Sequence, residues 1–137
     1  MYSYTMPFNQ IMGSMRNNIL VVDDDPDILE ALKVMLEDQG YSVETAQNGN
    51  ILQFLDQTNL PSMIILDVML SGMDGRIIAE KLRKKKETKE IPIVMISANP
   101  GAATDCVKRG ANAFLAKPFE IDDLLNVVQQ YVPEAKD

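Results

Sequence analysis

The residues of this sequence that could do chemistry stand directly after short apolar runs. They are three carboxylates, one hydroxyl and one ammonium group: Asp23, Asp24, Asp67, Ser97 and Lys117. The 137-residue chain contains no histidine and a single cysteine, so catalytic triads built on histidine and most zinc sites are excluded. The chemistry that remains is that of carboxylate oxygens facing a cation.

Carboxylates gathered in one cleft repel each other. At about 4 Å and an effective dielectric constant near 20, each pair costs on the order of 4 kcal/mol, so such a site must raise a pKa or bind a cation. Oxygen ligands without nitrogen or sulfur favour Mg²⁺ or Ca²⁺. A calcium-binding loop is excluded, because Ile28 stands where its central glycine belongs and Val34 where its terminal glutamate belongs. Mg²⁺ is therefore the expected cofactor.

A magnesium ion beside one lysine and one small hydroxyl would suit phosphoryl transfer. Asp67 would be the nucleophile. Lys117 and the metal would stabilise the negative charge on the phosphoryl oxygens, and Ser97 would donate a hydrogen bond to one of these oxygens.

Five apolar runs predict the strands that must bring these residues together. They lie at residues 19–22, 41–46, 63–66, 91–96 and 113–115, and they alternate with helical patterns. Strands joined by helical crossovers form a parallel sheet with helices on both faces, and ligands bind beyond the carboxyl ends of its strands. We therefore predict a single doubly wound α/β domain of five strands and five helices, with the chemical residues at one edge of the sheet.

The helical patterns also predict which side chains face the core. In chain order these are Ile28, Leu32, Met35 and Leu36, then Ile51, Phe54 and Leu55, then Ile77, Ile78 and Leu82, then Ala103, Cys106 and Val107, and finally Ile121, Leu124, Leu125, Val128 and Tyr131. The first helix is expected to end at Gly40. The fourth, near residues 102–109, has the thinnest apolar stripe and is expected to be mobile.

Several other charged residues have a structural interpretation. Asp25, Asp27 and Asp74 are expected to begin or cap helices. The basic stretch at 81–89, KLRKKKETK, is interpreted as a solvated helix end rather than a nucleic-acid patch.

Charge and composition limit the classes of partner and the cellular compartment that we expect for this protein. The net charge of −7 repels nucleic-acid phosphates and anionic lipid, and no apolar run approaches the roughly 18–20 residues that span a bilayer. Cys106, with no histidine to activate it, is interpreted as a small buried residue, and one unpaired cysteine fits a reducing compartment. We expect a cytoplasmic protein that binds neither nucleic acid nor membrane.

Four motifs occur in an order that resembles the receiver domain of two-component response regulators: VVDDDP, ILDVMLSGMDG, ISA and AFLAKPF. The resemblance covers roughly residues 17–133, which leaves 1–16 as an N-terminal extension and 134–137 as a C-terminal tail. It implies a flavodoxin-like fold with the sheet order 2-1-3-4-5.

The resemblance also implies the role of each site residue. Asp67 is the phosphoacceptor and Lys117 binds the phosphoryl group; the metal is held by Asp24, by Asp67, by the backbone carbonyl of Met69 and, through water, by Asp23; Ser97 and Phe114 form the conformational switch. Ser71 stands where the family commonly has proline, a change that removes no chemical group and is expected to loosen the loop.

The expected function is that of a stand-alone receiver, since the chain ends shortly after its last helix. It would accept a phosphoryl group on Asp67 from a sensor histidine kinase or a histidine phosphotransfer protein. It would then signal to a downstream protein through the face formed by the fourth helix, the fifth strand and the fifth helix. It would be no enzyme beyond its own phosphorylation and slow dephosphorylation.

Two alternative functions stay open. One is a phosphorelay step onto a histidine phosphotransfer domain. The other is a Mg²⁺-dependent phosphatase with an aspartyl nucleophile, which would need a general acid at the position of Met69. A phosphate-independent scaffold is less compatible with the sequence, because no active-site residue has been lost.

Overall fold

The structure, a computed structural model, describes residues 18–133. The predicted extension (1–16) and tail (134–137) lie outside the described residues. Within 18–133 no helix is both long enough and apolar enough to cross a membrane.

Five parallel strands form the central sheet. They are β1 (Asn18–Val22), β2 (Ser42–Ala46), β3 (Met63–Asp67), β4 (Ile93–Ser97) and β5 (Ala113–Ala116), in the spatial order β2-β1-β3-β4-β5. The predicted order and direction of the strands are confirmed. β1, β3 and β4 are almost wholly apolar runs because both faces of a central parallel strand are covered.

Helical segments connect the strands. The described residues contain four α-helices, α1 (Pro26–Asp38), α2 (Gly75–Lys84), α3 (Ala103–Lys108) and α4 (Ile121–Tyr131), and two 3₁₀ helices, Gly49–Phe54 and Pro100–Ala102. Short antiparallel segments at Met69–Leu70 and Met73–Asp74 link β3 to α2. The predicted third, fourth and fifth helices are therefore α2, α3 and α4.

The predicted second helix is a 3₁₀ helix; of its predicted inward residues, Leu55 is buried and Ile51 packs against the core, but the prediction for Phe54 was wrong. Leu52 and Leu55 are buried, whereas Phe54 is 70% exposed. With three residues per 3₁₀ turn, Leu52 and Leu55 lie on the same side of the segment. The α-helical period of 3.6 residues instead places Ile51, Phe54 and Leu55 on one side. The Asn48 side chain caps this segment by accepting from the Asn50 amide.

Alternation along the strands divides the core into two layers. Leu20, Val22, Ile64, Leu66 and Met95 face the side covered by α2 and α3. Ile19, Val21, Met63, Ile65 and Ile96 face the side covered by α1 and α4. Because the side-chain period of a strand is two residues, each strand supplies both layers.

In two helices the fully buried residues differ in part from those predicted. In α1 the buried residues are Leu29, Leu32 and Leu36, and Met35 is 36% exposed. In α2 Ile77 is exposed while Ala79 is buried. The α1 C-terminus is as predicted, since Gly40 follows it with a φ of 97°.

Helix α3 has little contact with the core. Its only fully buried residue is Cys106, with Ala102 buried just before it, while Val107 is 54% exposed, so the prediction for Val107 was wrong. Burial raises the pKa of the Cys106 thiol, which agrees with its interpretation as an inert apolar residue.

The basic stretch follows the structural interpretation in part. Lys81, Arg83 and Lys84 lie in the last turn of α2, where cations complement the helix dipole. Arg83, however, is not simply solvated. Its guanidinium donates to the carbonyl oxygens of Gly110 (2.9 Å) and Ile91 (2.6 Å), and so joins α2 to the loop before β5 and the loop before β4.

Candidate functional site

The predicted chemical residues meet at the carboxyl edge of the sheet. Asp23 directly follows β1, Asp67 ends β3, Ser97 ends β4 and Lys117 directly follows β5. Strand register fixes this meeting, because Asp67 pairs with Ile96 and Ser97 with Ala116. The Lys117 amide also donates to the Ser97 carbonyl at 2.8 Å, which holds Lys117 beside β4.

Lys117 bridges the two buried carboxylates of the site. Its Nζ lies 2.9 Å from Asp23 Oδ2 and 3.0 Å from Asp67 Oδ2. The Asp23 side chain is fully buried and that of Asp67 is 6% exposed, whereas that of Lys117 is 20% exposed. Buried charges are tolerated when they are paired and hydrogen-bonded, and Lys117 supplies that pairing for both aspartates.

The remaining oxygens of these aspartates are held by backbone amides. Asp23 Oδ1 accepts from the Asp25 amide at 2.9 Å, and Asp67 Oδ1 accepts from the Met69 amide at 3.1 Å. Both aspartates are therefore oriented by the chain that follows them. Asp67 Oδ2 accepts a hydrogen bond from Lys117, and Asp67 Oδ1 faces the loop after β3.

Burial and hydrogen bonding shift the pKa values of Asp67 and Lys117. Burial raises the pKa of Asp67, and the hydrogen bonds from Lys117 and from the Met69 amide offset part of that effect. Burial acts to lower the pKa of Lys117, but the hydrogen bonds to Asp23 and Asp67 outweigh it and the net pKa is raised. Lys117 is thus held as a cation beside a carboxylate more basic than an exposed one.

Asp24 completes a set of oxygen ligands at the mouth of the site. Oxygen atoms of Asp23, Asp24 and Asp67 all lie within 4.8 Å of one another, and Asp24 alone of the three is exposed. Three carboxylates with no nitrogen or sulfur ligand suit a hard divalent cation. The residues present therefore fit the predicted Mg²⁺, although the position of the Met69 carbonyl as a ligand stays a prediction.

Ser71 contacts this set in a way that the sequence did not predict. Its Oγ donates to Asp24 Oδ2 at 3.1 Å, which joins the loop after β3 to the loop after β1. The substitution was expected only to loosen the loop. Its hydroxyl instead adds a hydrogen bond that a proline could not make, and no pattern in the sequence pointed to that contact.

Gly75 is required by the close packing behind Asp67. A Cβ at this position would collide with the backbone oxygen of Asp67, and the Gly75 amide donates to the Val68 carbonyl at 2.7 Å. Asp74 caps α2 by accepting from the Arg76 amide at 2.9 Å, as predicted. The Asp-Gly pair therefore holds α2 against the end of β3.

The two expected switch residues lie on neighbouring strands. Ser97 is buried, and its Oγ accepts from the Asn99 amide at 3.0 Å. Phe114 is half-buried and packs against the core layer beneath α2 and α3. The peptide bond between Lys117 and Pro118 is cis.

Comparison with known proteins gives one consistent family. A family model described as "Response regulator receiver domain" matches residues 19–129. The chain is 38% identical over 120 residues to the nitrogen assimilation regulatory protein NtrX of Azorhizobium caulinodans, an alignment that covers 85% of this chain and 26% of that protein. It is 34% identical over 116 residues to an uncharacterised 14.6 kDa protein of Leptolyngbya boryana, covering 83% of this chain and 88% of that protein.

Solved structures agree with the family match. A protein of Chloroflexus aurantiacus described as a response regulator superposes with a TM-score of 0.79 at 35% identity, covering 85% of this chain and 97% of that chain. The receiver domain of the Pseudomonas aeruginosa sensor histidine kinase PA1611, which has magnesium coordinated in its active-site cleft, gives 0.76 at 27%, covering 85% and 97%. TrrA of Thermotoga maritima, solved with Mg²⁺ and BeF, gives 0.75 at 33%, covering 84% and 98%.

The chain spans only part of several relatives. It covers 26% of the length of NtrX and 53% of the length of the phosphate regulon protein PhoB of Rhizobium meliloti.

Proposed function

The chain belongs to the response regulator receiver domain family, and from that premise we propose that Asp67 accepts a phosphoryl group from a phosphohistidine of a kinase or phosphotransfer protein. One observation carries the proposal. The Lys117 ammonium lies 3.0 Å from Asp67 Oδ2, in a cleft where Asp24 offers exposed oxygens for a cation.

In the proposed reaction a carboxylate oxygen of Asp67 attacks the phosphorus atom. A P–O bond forms while the P–N bond to the donor histidine breaks, and the histidine nitrogen keeps the electron pair. Lys117 stays protonated and holds one phosphoryl oxygen. Asp24, Asp67, the Met69 carbonyl and, through water, Asp23 would hold Mg²⁺, which supplies charge neutralisation when bound.

The donor protein would dock beside Lys117. Ile28, Met35, Ala98, Pro118 and Phe119 line an apolar groove that runs from α1 to the loop after β5, and Lys117 lines the same groove. A surface of this kind suits the apolar face of a helix. This placement supports a protein donor in addition to a small-molecule one.

The output would pass through the face formed by α3, β5 and α4. Phosphorylation adds roughly −1.5 to −2 charge at Asp67. Ser97 would exchange its hydrogen bond with the Asn99 amide for one to the phosphoryl group, and Phe114 would turn into the space that it leaves. α3 can respond because Cys106 and Ala102 are its main anchors in the core.

Mass spectrometry of the intact protein tests the acceptor. Incubation with acetyl phosphate and Mg²⁺ should add one phosphoryl group, and EDTA should prevent the addition. Asp67→Asn should abolish it, whereas Asp27→Asn, which changes an exposed carboxylate near the same edge, should leave it intact. An adduct that persists in Asp67→Asn would contradict the assignment.

The finer expectations stay predictions. They are that the receiver stands alone, that it is cytoplasmic, that it binds neither nucleic acid nor membrane and that it signals to a downstream protein, with a phosphorelay step onto a histidine phosphotransfer domain as the alternative. Transfer of label from phosphorylated protein to a purified phosphotransfer domain would distinguish a relay step from direct signalling. The phosphatase alternative gains no support, because Met69 cannot act as the general acid that such enzymes need.

A further inference from the structure

A surface groove between the 3₁₀ helix Gly49–Phe54 and α2 has no part in the phosphoryl site. It encloses about 200 Å³. Leu52, Met73, Ile78 and Leu82 give it an apolar lining, and Lys81 and Lys85 line it as well. Both lysines are exposed, so their ammonium groups lie at the solvent edge of an apolar depression.

Two residues that adjoin the groove lining in the sequence have large exposed apolar side chains. Phe54, which directly follows the lining residue Gln53, is 70% exposed. Ile77, which directly precedes Ile78, is 46% exposed. Exposed apolar groups grouped around a concave surface and rimmed by charge are typical of a protein contact.

The cations around this groove are not neutralised by the protein itself. Lys81, Lys84, Lys85, Lys86 and Lys89 form no ion pair within residues 18–133. Lys33, Arg76, Arg109 and Lys117 each have an acidic partner. Lys108 is the other lysine of residues 18–133 without an ion pair, so most of the unpaired positive charge of this part of the chain lies along residues 81–89.

We infer that this groove binds an acidic peptide segment of a protein partner. One apolar side chain of the segment occupies the pocket lined by Leu52 and Ile78, and flanking carboxylates lie beside Lys81 and Lys85. Nucleic acid is the weaker fit, since a long polyanion meets the repulsion of the whole chain and has no use for an apolar pocket. A short acidic peptide carries few charges, so it meets less repulsion from the chain, and it can contact both the apolar pocket and the lysines.

Fluorescence anisotropy with a labelled synthetic peptide tests this inference. The probe is a short peptide in which glutamates flank a Leu-Phe pair. It should bind at low salt and weaken as salt rises, because the lysines are exposed. Lys81→Glu with Lys85→Glu should weaken binding by about tenfold or more.

A matched double variant separates the groove from general charge. Lys84→Glu with Lys86→Glu makes the same charge change at exposed lysines that do not line the groove, and it should weaken binding by less than about threefold. Equal losses in the two double variants would overturn the inference. A control peptide with Ser-Ser in place of Leu-Phe should bind much more weakly, and equal binding would overturn it too.

Nucleic acid and anionic lipid are the competing classes of ligand, and each is tested against the peptide. Failure of the peptide to bind at low salt, or tighter binding of single-stranded DNA or phosphatidylserine vesicles than of the peptide, would overturn the inference. Each variant should still label at Asp67 with acetyl phosphate, which shows that it is folded. A failure at the groove is then distinct from a failure of the proposed receiver function.

Discussion

The charged residues at the carboxyl edge of the sheet differ from those that join α2 to α3. At the edge, the acidic cluster of Asp23, Asp24 and Asp67 faces the single cation Lys117. Between the helices, Asp74, Glu80 and Asp105 face Arg76 and Arg109, an arrangement that we call the ion network. The first cluster has an excess of negative charge, and the second is nearly balanced.

Burial separates the two regions further. Asp23 and Asp67 are almost fully buried, while the side chains of the ion network are 28–42% exposed. A protein gains little from exposed ion pairs, about 0–1 kcal/mol each. It pays several kcal/mol to bury charge that is incompletely paired. The imbalance at the sheet edge is therefore a mark of function, and the balance between α2 and α3 is a mark of structure.

Removing the cation of the acidic cluster should have the largest effect. Lys117→Met leaves Asp23 and Asp67 buried without their partner, so we expect a loss of about 2–4 kcal/mol in the free energy of unfolding without Mg²⁺. Phosphorylation by acetyl phosphate should fall as well. Urea unfolding in EDTA measures the stability. Glu37→Gln, which removes the charge from an exposed pair with Lys33 and leaves the Lys33 bond to the Val43 carbonyl in place, is the control and should cost less than about 0.5 kcal/mol.

Access of water to the acidic cluster should set the lifetime of the phosphorylated state. Met69 is 66% exposed beside Asp67, and an apolar side chain there shields the phosphoryl group without orienting water. Asn99, two residues after Ser97, would flank the path of the attacking water. Its side-chain oxygen accepts from the Gly101 amide at 2.9 Å and caps Pro100–Ala102, so that oxygen is not available to orient water either. We expect slow dephosphorylation that Met69→Asn speeds and Met69→Leu leaves nearly unchanged.

The lifetime is measured as decay of phosphorylated protein after the donor is removed, with Mg²⁺ held constant. Equal decay rates for Met69→Asn and the parent protein would mean that shielding by this side chain does not limit water attack.

Reducing the negative excess should stabilise the metal-free protein. In Asp24→Asn the repulsion from Asp23 and Asp67 falls, while the amide oxygen can still accept from Ser71. The unfolding temperature in EDTA should rise by a few degrees, equivalent to about 0.5–1 kcal/mol, and Mg²⁺ should bind more weakly. Differential scanning calorimetry checks the first effect, with Asp27→Asn as control. A lower unfolding temperature would show that Asp24 has a structural role instead.

The ion network should give the smallest changes. Asp105→Asn removes one partner of both Arg76 and Arg109 and should cost about 0.2–0.5 kcal/mol, less at high salt. A loss as large as that of Lys117→Met would erase the distinction between the two regions.

The ion network also predicts a pH dependence. The hydrogen bond from Arg76 holds the pKa of Asp74 below its ordinary value of 3.8. The stability that Asp74 contributes is therefore complete above that value and is lost as the pH falls through the folded-state pKa. In Asp74→Asn, which retains a capping oxygen, this part of the acid-induced loss of stability should disappear.

The amino-acid sequence was enough to predict the strands, the edge at which the chemical residues meet and the members of the acidic cluster with Lys117, while the order of the strands came from the resemblance to receiver domains. Buried strands such as Met63–Asp67 are readable because a strand covered on both faces is a continuous apolar run. Each chemical residue follows such a run directly. Parallel strands end at a common edge, so sequence position alone places Asp23, Asp67, Ser97 and Lys117 together.

The buried faces of the helices and the polar contacts between loops depend instead on the tertiary structure. Phe54 and Val107 look like core residues by period, yet a 3₁₀ geometry at one and a short, thinly packed helix at the other leave them exposed. The contacts of Ser71 with Asp24, and of Arg83 with the Gly110 carbonyl, join residues far apart in the chain. No local pattern encodes such pairs, because they depend on where separate loops come to lie once the sheet has formed.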